Sequence, residues 1–164
     1  MFLRLNVAAI LRNAEGRILV CERLKNPGSW QFPQGGVNRM ETLEEGLLRE
    51  LEEEIGIPPH QVRILNSKGP YTYRFAHPKK GYDGKEQYYF LCQHLGSDSA
   101  VNVHTRHPEF RDFRWIDPRM FEVQWLPPMR VTVYTAVFRD FFGIELGPAS
   151  PNSPDAQKEW SETD

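Results

Sequence analysis

Gly35-Gly36-Val37-Asn38-Arg39-Met40-Glu41-Thr42, then residues 43–48, then Arg49-Glu50-Leu51-Glu52-Glu53-Glu54-Ile55-Gly56-Ile57, is a turn-rich loop running into a helix. Thr42 opens the helix with acid in its first turn, and Gly56 with Pro58-Pro59 closes it. About four turns lie between these signals. At helical spacing Leu43, Leu47, Leu51 and Ile55 form one apolar stripe that must face a core. Glu50, Glu53 and Glu54 stand at i, i+3 and i+4 along its rim. Three carboxylates at that spacing repel one another, and a helix built only for stability would place Lys or Arg among them. Arg49 is the one cation close by in the sequence. A divalent ion would supply the missing charge, because hard cations such as Mg²⁺ and Mn²⁺ are held by carboxylate oxygens. Gly46, one turn before Glu50, carries a helix penalty of roughly 1 kcal/mol and reads as room for a group approaching the acids. The alternative is that Glu44, Glu45, Glu50, Glu52, Glu53 and Glu54 are a solvated acidic face.

The loop and helix resemble the signature of the Nudix hydrolases, G-x5-E-x7-R-E-U-x-E-E-x-G-U with U a bulky aliphatic. Gly35, Glu41, Arg49, Glu50, Leu51, Glu53, Glu54, Gly56 and Ile57 meet every fixed position. The resemblance implies a Nudix fold that binds Mg²⁺ or Mn²⁺ and hydrolyses a nucleoside diphosphate linked to another group. It implies metal ligation by Glu50, Glu53 and Glu54, with the backbone carbonyl of Gln34 as a further ligand. Arg49 would orient the acids and Glu41 would support them. Trp30-Gln31-Phe32-Pro33-Gln34-Gly35-Gly36 resembles the branch holding bacterial RNA pyrophosphohydrolases and dinucleoside polyphosphate hydrolases. The usual Gly-Glu pair before the helix is Met40-Glu41 here, a change in a loop turn and not at a ligand.

Around this centre, 164 residues with one signature suggest one domain, residues 1–146, and a polar tail over 147–164 expected to be disordered. A net charge of −2 argues against a broad electrostatic grip on nucleic acid, yet a phosphorylated RNA end needs only a few cations beside a metal. No apolar run approaches the ~20 residues of a membrane span, and the N-terminus lacks a signal-peptide layout. Cys21 and Cys92 lie in apolar strand-like segments without metal spacing, so they read as buried free thiols and the cytoplasm is the expected compartment. Nothing in the sequence marks a protein partner.

Residues 3–11 and 17–22 read as strands joined by a turn at Asn13-Ala14-Glu15-Gly16, with Arg4 as a routine edge-strand charge. Trp30 and Phe32 read as core. Residues 62–65 begin a strand, 71–75 alternate as another, 76–85 form a Pro/Gly/Lys-rich loop, and 86–92 a buried strand. Residues 84–90 resemble a Gly-Gln-Lys-Gln-aromatic strand of the same branch, with Lys85 and Glu86 as its looser positions. His104 and His107 read as surface residues, lacking a third ligand at zinc spacing. Residues 113–116 read as a strand and 129–142 as a helix with Val133, Val137 and Phe141 inward. A Pro-Glu-Phe stretch before an Arg-Trp strand supplies another catalytic carboxylate in the resembled branch, which makes Glu109 a candidate metal ligand or general base. By the same resemblance Arg4 and Arg130 match phosphate-contacting cations, and a cation such as Arg130 is disfavoured in a helix's first turn without a function.

The expected fold is α/β, a Nudix α/β/α sandwich with a mixed sheet. The expected reaction is metal-dependent cleavage of a phosphoanhydride, with Glu53, Glu109 and Arg49 catalytic. The substrate would be an RNA 5′-triphosphate end or, alternatively, a dinucleoside polyphosphate such as diadenosine tetraphosphate. A catalytically silent nucleotide-binding module is the reading from a different class.

Overall fold

A computed structural model describes residues 2–147. The expectation for 147–164 falls outside the described residues except at Gly147.

The strands are β1 (Leu3–Arg12), β2 (Ile18–Arg23), β3 (Trp30–Gln31), β4 (Gln34–Gly36), β5 (Val62–Lys79), β6 (Tyr82–His94) and β7 (Phe110–Ile116). They form a sheet in the order β3-β2-β1-β6-β5, with β4 paired to β1 and β7 to β2. Only the β1–β6 contact among these is parallel, so the sheet is mixed.

Strand periodicity assigns the two faces. Ala8 and Ile10 of β1, Ile18 and Val20 of β2 and Tyr89 of β6 join a cluster with Val133, Tyr134, Val137 and Phe138 of α2 (Pro128–Phe142). The alternate residues Val7, Ala9, Leu11, Leu19, Cys21, Phe90 and Cys92 join Leu47, Leu51 and Ile55 of α1 (Leu43–Ile55). The result is the expected α/β/α sandwich. Phe32 is fully buried and stacks on Tyr134 at 5.2 Å and Phe138 at 5.8 Å between ring centroids. Both cysteines are buried free thiols.

Four expectations change. Residues 76–85 are no loop: β5 and β6 run to a two-residue turn, Lys80 and Gly81, both at positive φ (50° and 84°), the geometry of a tight hairpin. Lys85 therefore stands inside a strand. The separate strands at 62–65 and 71–75 are one, with register shifts between Ile64 and Asn66 and between Lys68 and Tyr71. In α2 Val133 and Val137 are inward as expected and Phe141 packs partly covered against them, but the inward face is wider and also holds Tyr134 and Phe138. Finally, β1 is an interior strand, so Arg4 is not an edge charge.

Candidate active site

Helix α1 is fixed at both ends by its own sequence. Thr42 accepts from the Glu45 amide while the Glu45 carboxylate accepts from the Thr42 amide, a reciprocal cap. At the other end Gly56 takes φ 69°, and the Ile57 amide donates to the Leu51 carbonyl. The stripe of Leu47, Leu51 and Ile55 is buried as anticipated, Glu50 lies against the loop at Gly35, and Glu50 and Glu54 line a cavity shared with residues of β1 and β6.

The signature loop is held to the sheet as β4, with Gln34, Gly35 and Gly36 opposite Ala8, Val7 and Asn6. Two glycines are required by close approach. A Cβ on Gly35 would lie 2.0 Å from the carboxyl carbon of Glu50, and one on Gly36 would lie 2.3 Å from an Arg4 guanidinium nitrogen. Gly46 does not open space before the acids. A Cβ there would meet Val37 at 3.3 Å and Glu41 at 3.5 Å, so this glycine seats the loop against the helix.

Arg49 ties these parts together. Its guanidinium donates twice to Glu41 (2.7 and 2.9 Å), to Glu50 (2.9 Å), to Glu53 (3.2 Å) and to the Gly36 carbonyl (2.8 Å). Glu41 also accepts from the Asn38 amide, and these bonds hold its carboxyl below the usual carboxylate range.

A cavity of about 180 Å³ opens beside this junction. Glu50, Glu54 and Glu109 contribute acid to its lining, and Arg4, Arg23 and Lys85 contribute cations, with Gln34, Gly35 and Gly36 between. Burial pushes Glu50 up; burial, reinforced by Glu50, Glu109 and Glu53, pushes Glu54 up to about 8. The chain crowds negative charge where it is partly desolvated, and one buried oxygen of Glu54 has no hydrogen-bond partner. Glu53 is more exposed, with 58% of its side chain accessible, and it does not line the cavity.

Do these residues fit a divalent ion? The donors are all hard oxygens, Glu54 keeps an unpartnered buried oxygen, and Gly35 leaves the Glu50 carboxylate space that any side chain would fill. In this arrangement Arg49 engages Glu50 and Glu53, and among the described residues no three carboxylate, imidazole or thiol groups converge at ligand spacing. The donor set fits a hard cation that would draw the acids inward on binding.

Of the residues singled out from sequence, Gln34, Glu50, Glu54, Glu109 and Arg4 share the cavity. Arg130 does not line it. It is 2% exposed on α2 and hydrogen-bonds the side chain of Gln31, which does line the cavity. Sequence reasoning passed over Arg23, Asn6, Gln31, Gln87 and the position of Lys85. Asn6 between Leu5 and Val7, and Gln31 between Trp30 and Phe32, carried a signal, a polar residue between apolar neighbours in a strand; Arg23, Lys85 and Gln87 have polar or charged neighbours and carried none, although all five are buried. The Gln87 amide donates to Asn6 at 2.9 Å and to Gln34, and its oxygen accepts from Tyr89 at 3.1 Å, which ties β1, β4 and β6 together beneath the cavity.

A cleft beside the capped helix and its loop, lined by both acids and cations in an α/β/α sandwich, is the kind of site in which hydrolases hold charged substrates. The NUDIX domain family model matches residues 2–140, and the chain belongs to the Nudix family of hydrolases. It is 37% identical over 147 residues to an RNA pyrophosphohydrolase of Coxiella burnetii, covering 84% of this chain and 64% of that protein's length. It is 40% identical over 124 residues to an RNA pyrophosphohydrolase of Zymomonas mobilis, covering 71% of this chain and 80% of that one. A solved MutT protein of Methanosarcina mazei Go1 has the same fold, with a TM-score of 0.58 at 23% identity over 85% of this chain and 95% of that one. No helix among the described residues is long and apolar enough to cross a membrane.

Proposed function

We propose that this Nudix hydrolase removes pyrophosphate from 5′-triphosphorylated RNA, using Mg²⁺ or Mn²⁺ held by Glu50, Glu53, Glu54, Glu109 and the backbone carbonyl of Gln34. The observation that carries the reading is the cleft itself, whose acids and cations face a single space of about 180 Å³. That volume is below the roughly 300–1,000 Å³ of sites that enclose a drug-sized ligand, so it suits a phosphate chain whose nucleoside, with any attached polymer, stays outside. The relatives named above as RNA pyrophosphohydrolases support the same substrate.

A bound divalent ion supplies positive charge to the attacked phosphoryl group and lowers the pKa of a coordinated water. The chain's own residues do the rest. Arg49 holds the α1 acids in place against the loop, and Arg4 faces the phosphate oxygens from the floor. Arg130 acts through Gln31. Glu109, or one of the α1 acids, accepts the proton of the attacking water as its oxygen bonds to phosphorus and the phosphoanhydride P–O bond breaks. The two buried free thiols support a reducing compartment, the cytoplasm.

The test is release of phosphate and pyrophosphate, with Mg²⁺ and then Mn²⁺, from a short 5′-triphosphorylated RNA and from diadenosine tetraphosphate. Faster turnover of RNA supports the reading, faster turnover of the dinucleotide replaces the substrate, and silence on both makes this a binding module. Glu53→Gln should fold normally, because the side chain is mostly exposed, and lose orders of magnitude in rate.

A further inference from the structure

Three carboxamides from three strands meet beside the cavity: Asn6 of β1, Gln34 of β4 and Gln87 of β6. The sheet register brings them together. Asn6 stands opposite Gln87 on one side and opposite Gly36 on the other, with Gln34 two residues along β4. Asn6 and Gln34 line the cavity, whereas Gln87, 1% exposed, does not.

A carboxamide has an acceptor end and a donor end, and its neighbours decide which end faces where. Gln87 uses its whole set within the sheet. Its nitrogen donates to the Asn6 oxygen at 2.9 Å and to the Gln34 oxygen, and its own oxygen accepts from the Tyr89 hydroxyl at 3.1 Å. Tyr89 sets the direction of this relay, because an amide oxygen is the natural acceptor for a phenol, and burial pushes the phenol up so that it keeps its proton. With both oxygens engaged, the ends that Asn6 and Gln34 have left are N–H donors. The Gln34 side-chain nitrogen is itself buried without a hydrogen-bond partner. A buried unpaired donor is costly, and an oxygen acceptor relieves it. A divalent ion gains nothing from it, since hard cations take oxygen ligands.

We infer that Gln87 is a positioning residue: from outside the cavity it turns the carboxamides of Gln34 and Asn6 so that their donor ends, and not their oxygens, are left for the cavity. This rests on reading the cavity as the substrate site. The uncharged part of the wall then takes an oxygen-rich anion and denies a divalent ion two further oxygen ligands, which confines the ion to the acids and the Gln34 backbone carbonyl. Asn6 and Gln34 thereby set specificity through the direction of their amides, a property held by Gln87 and Tyr89.

Two probes read this polarity in opposite senses. Inorganic pyrophosphate and Mn²⁺ are titrated calorimetrically, each alone, into metal-free wild type, Gln87→Met and Gln34→Met. Gln87→Met frees both carboxamides to turn, so pyrophosphate should bind about tenfold more weakly, the loss of one hydrogen bond to a charged acceptor, while Mn²⁺ affinity holds or rises. Gln34→Met should lose as much pyrophosphate affinity, and the double variant no more than either. A merely structural role for Gln87 would weaken both probes together. That result, or pyrophosphate affinity within about twofold of wild type in Gln87→Met, overturns the inference. The relay is also read without any ligand in Tyr89→Phe, which removes one hydroxyl and keeps the ring. The side-chain amide NMR signals of Asn6 and Gln34, neither hydrogen-bonded to Tyr89, should move together with those of Gln87. Movement confined to Gln87 overturns the relay. Wild type that binds no pyrophosphate yet shows the coupled amide signals overturns the substrate-site reading instead, so the two failures are distinguishable.

Discussion

Arg49 and Glu41 meet through a fork of two hydrogen bonds, 2.7 and 2.9 Å, that ties the first helical turn past Gly46 to the loop before the helix. The same guanidinium reaches Glu50, Glu53 and the Gly36 carbonyl, so one side chain sets the spacing between loop and acids. Lysine has the charge but not the planar fork. Arg49→Lys and Glu41→Gln should each cut activity or metal affinity by about 10–100-fold, the usual loss when a partner that orients ligands is removed. Metal titration alongside steady-state rates checks this, with circular dichroism confirming that the helix persists.

Gly35→Ala separates fit from fold. The added methyl would sit 2.0 Å from the Glu50 carboxyl carbon, the movable end of a side chain, so the carboxylate will swing away at small cost to stability. The expected outcome is a melting temperature close to wild type with metal affinity and turnover sharply reduced.

Protonation of Glu54 gives a signed pH dependence for the metal-free protein. Its pKa rises on folding from its ordinary 4.5 to about 8, because of burial and then the neighbouring Glu50, Glu109 and Glu53. Between those values the folded state binds more protons than the unfolded one, so this group's contribution to stability falls as pH rises and levels off above about 8. Glu41, whose pKa is lowered, acts only at the acid end, where its contribution is lost as pH falls. Thermal melts in EDTA at pH 6 and pH 8.5 should show a smaller decrease with pH for Glu54→Gln than for wild type.

Thr42→Ala tests the cap alone. Losing the bond from the Glu45 amide should cost about 1 kcal/mol, or roughly 2–4 °C in melting temperature, while leaving the cavity lining unchanged. Differential scanning calorimetry with a parallel activity assay reads both.

The local parts of this architecture were legible because their determinants are local. Thr42, Gly56 and the Leu47-Leu51-Ile55 stripe act within a few residues of one another, and the helix they imply is the helix observed. The β5–β6 ribbon was not legible, because residues 76–85 carry loop composition of which only Lys80-Gly81 is a turn, while the pairing that holds Lys79, Gly84 and Lys85 in strands lies on the opposite strand. Helix α2 was placed correctly and Val133 and Val137 face the core as expected, but its inward face is wider than the sequence suggests, since Tyr134 and Phe138 also turn inward to meet Phe32, a contact across about a hundred residues of chain. The acids of the site were visible on one helix. Of its cations Arg4 was reached only through the family resemblance and Lys85 not at all, because only the parallel register of β1 and β6 brings Lys85 beside Arg4.

That register also dictates the order of events during synthesis. Asn6 waits for Gln87, a partner 81 residues downstream. At about 5–20 residues per second the ribosome needs roughly 4–16 s to deliver it. Meanwhile β1 can pair with β2 and β4, but its other edge, along the apolar run Val7–Leu11, stays open to any strand that comes near. A chain halted before β6 would carry every acid of the signature helix and still lack both Lys85 and a closed sheet, an aggregation-prone species and a natural client for chaperones.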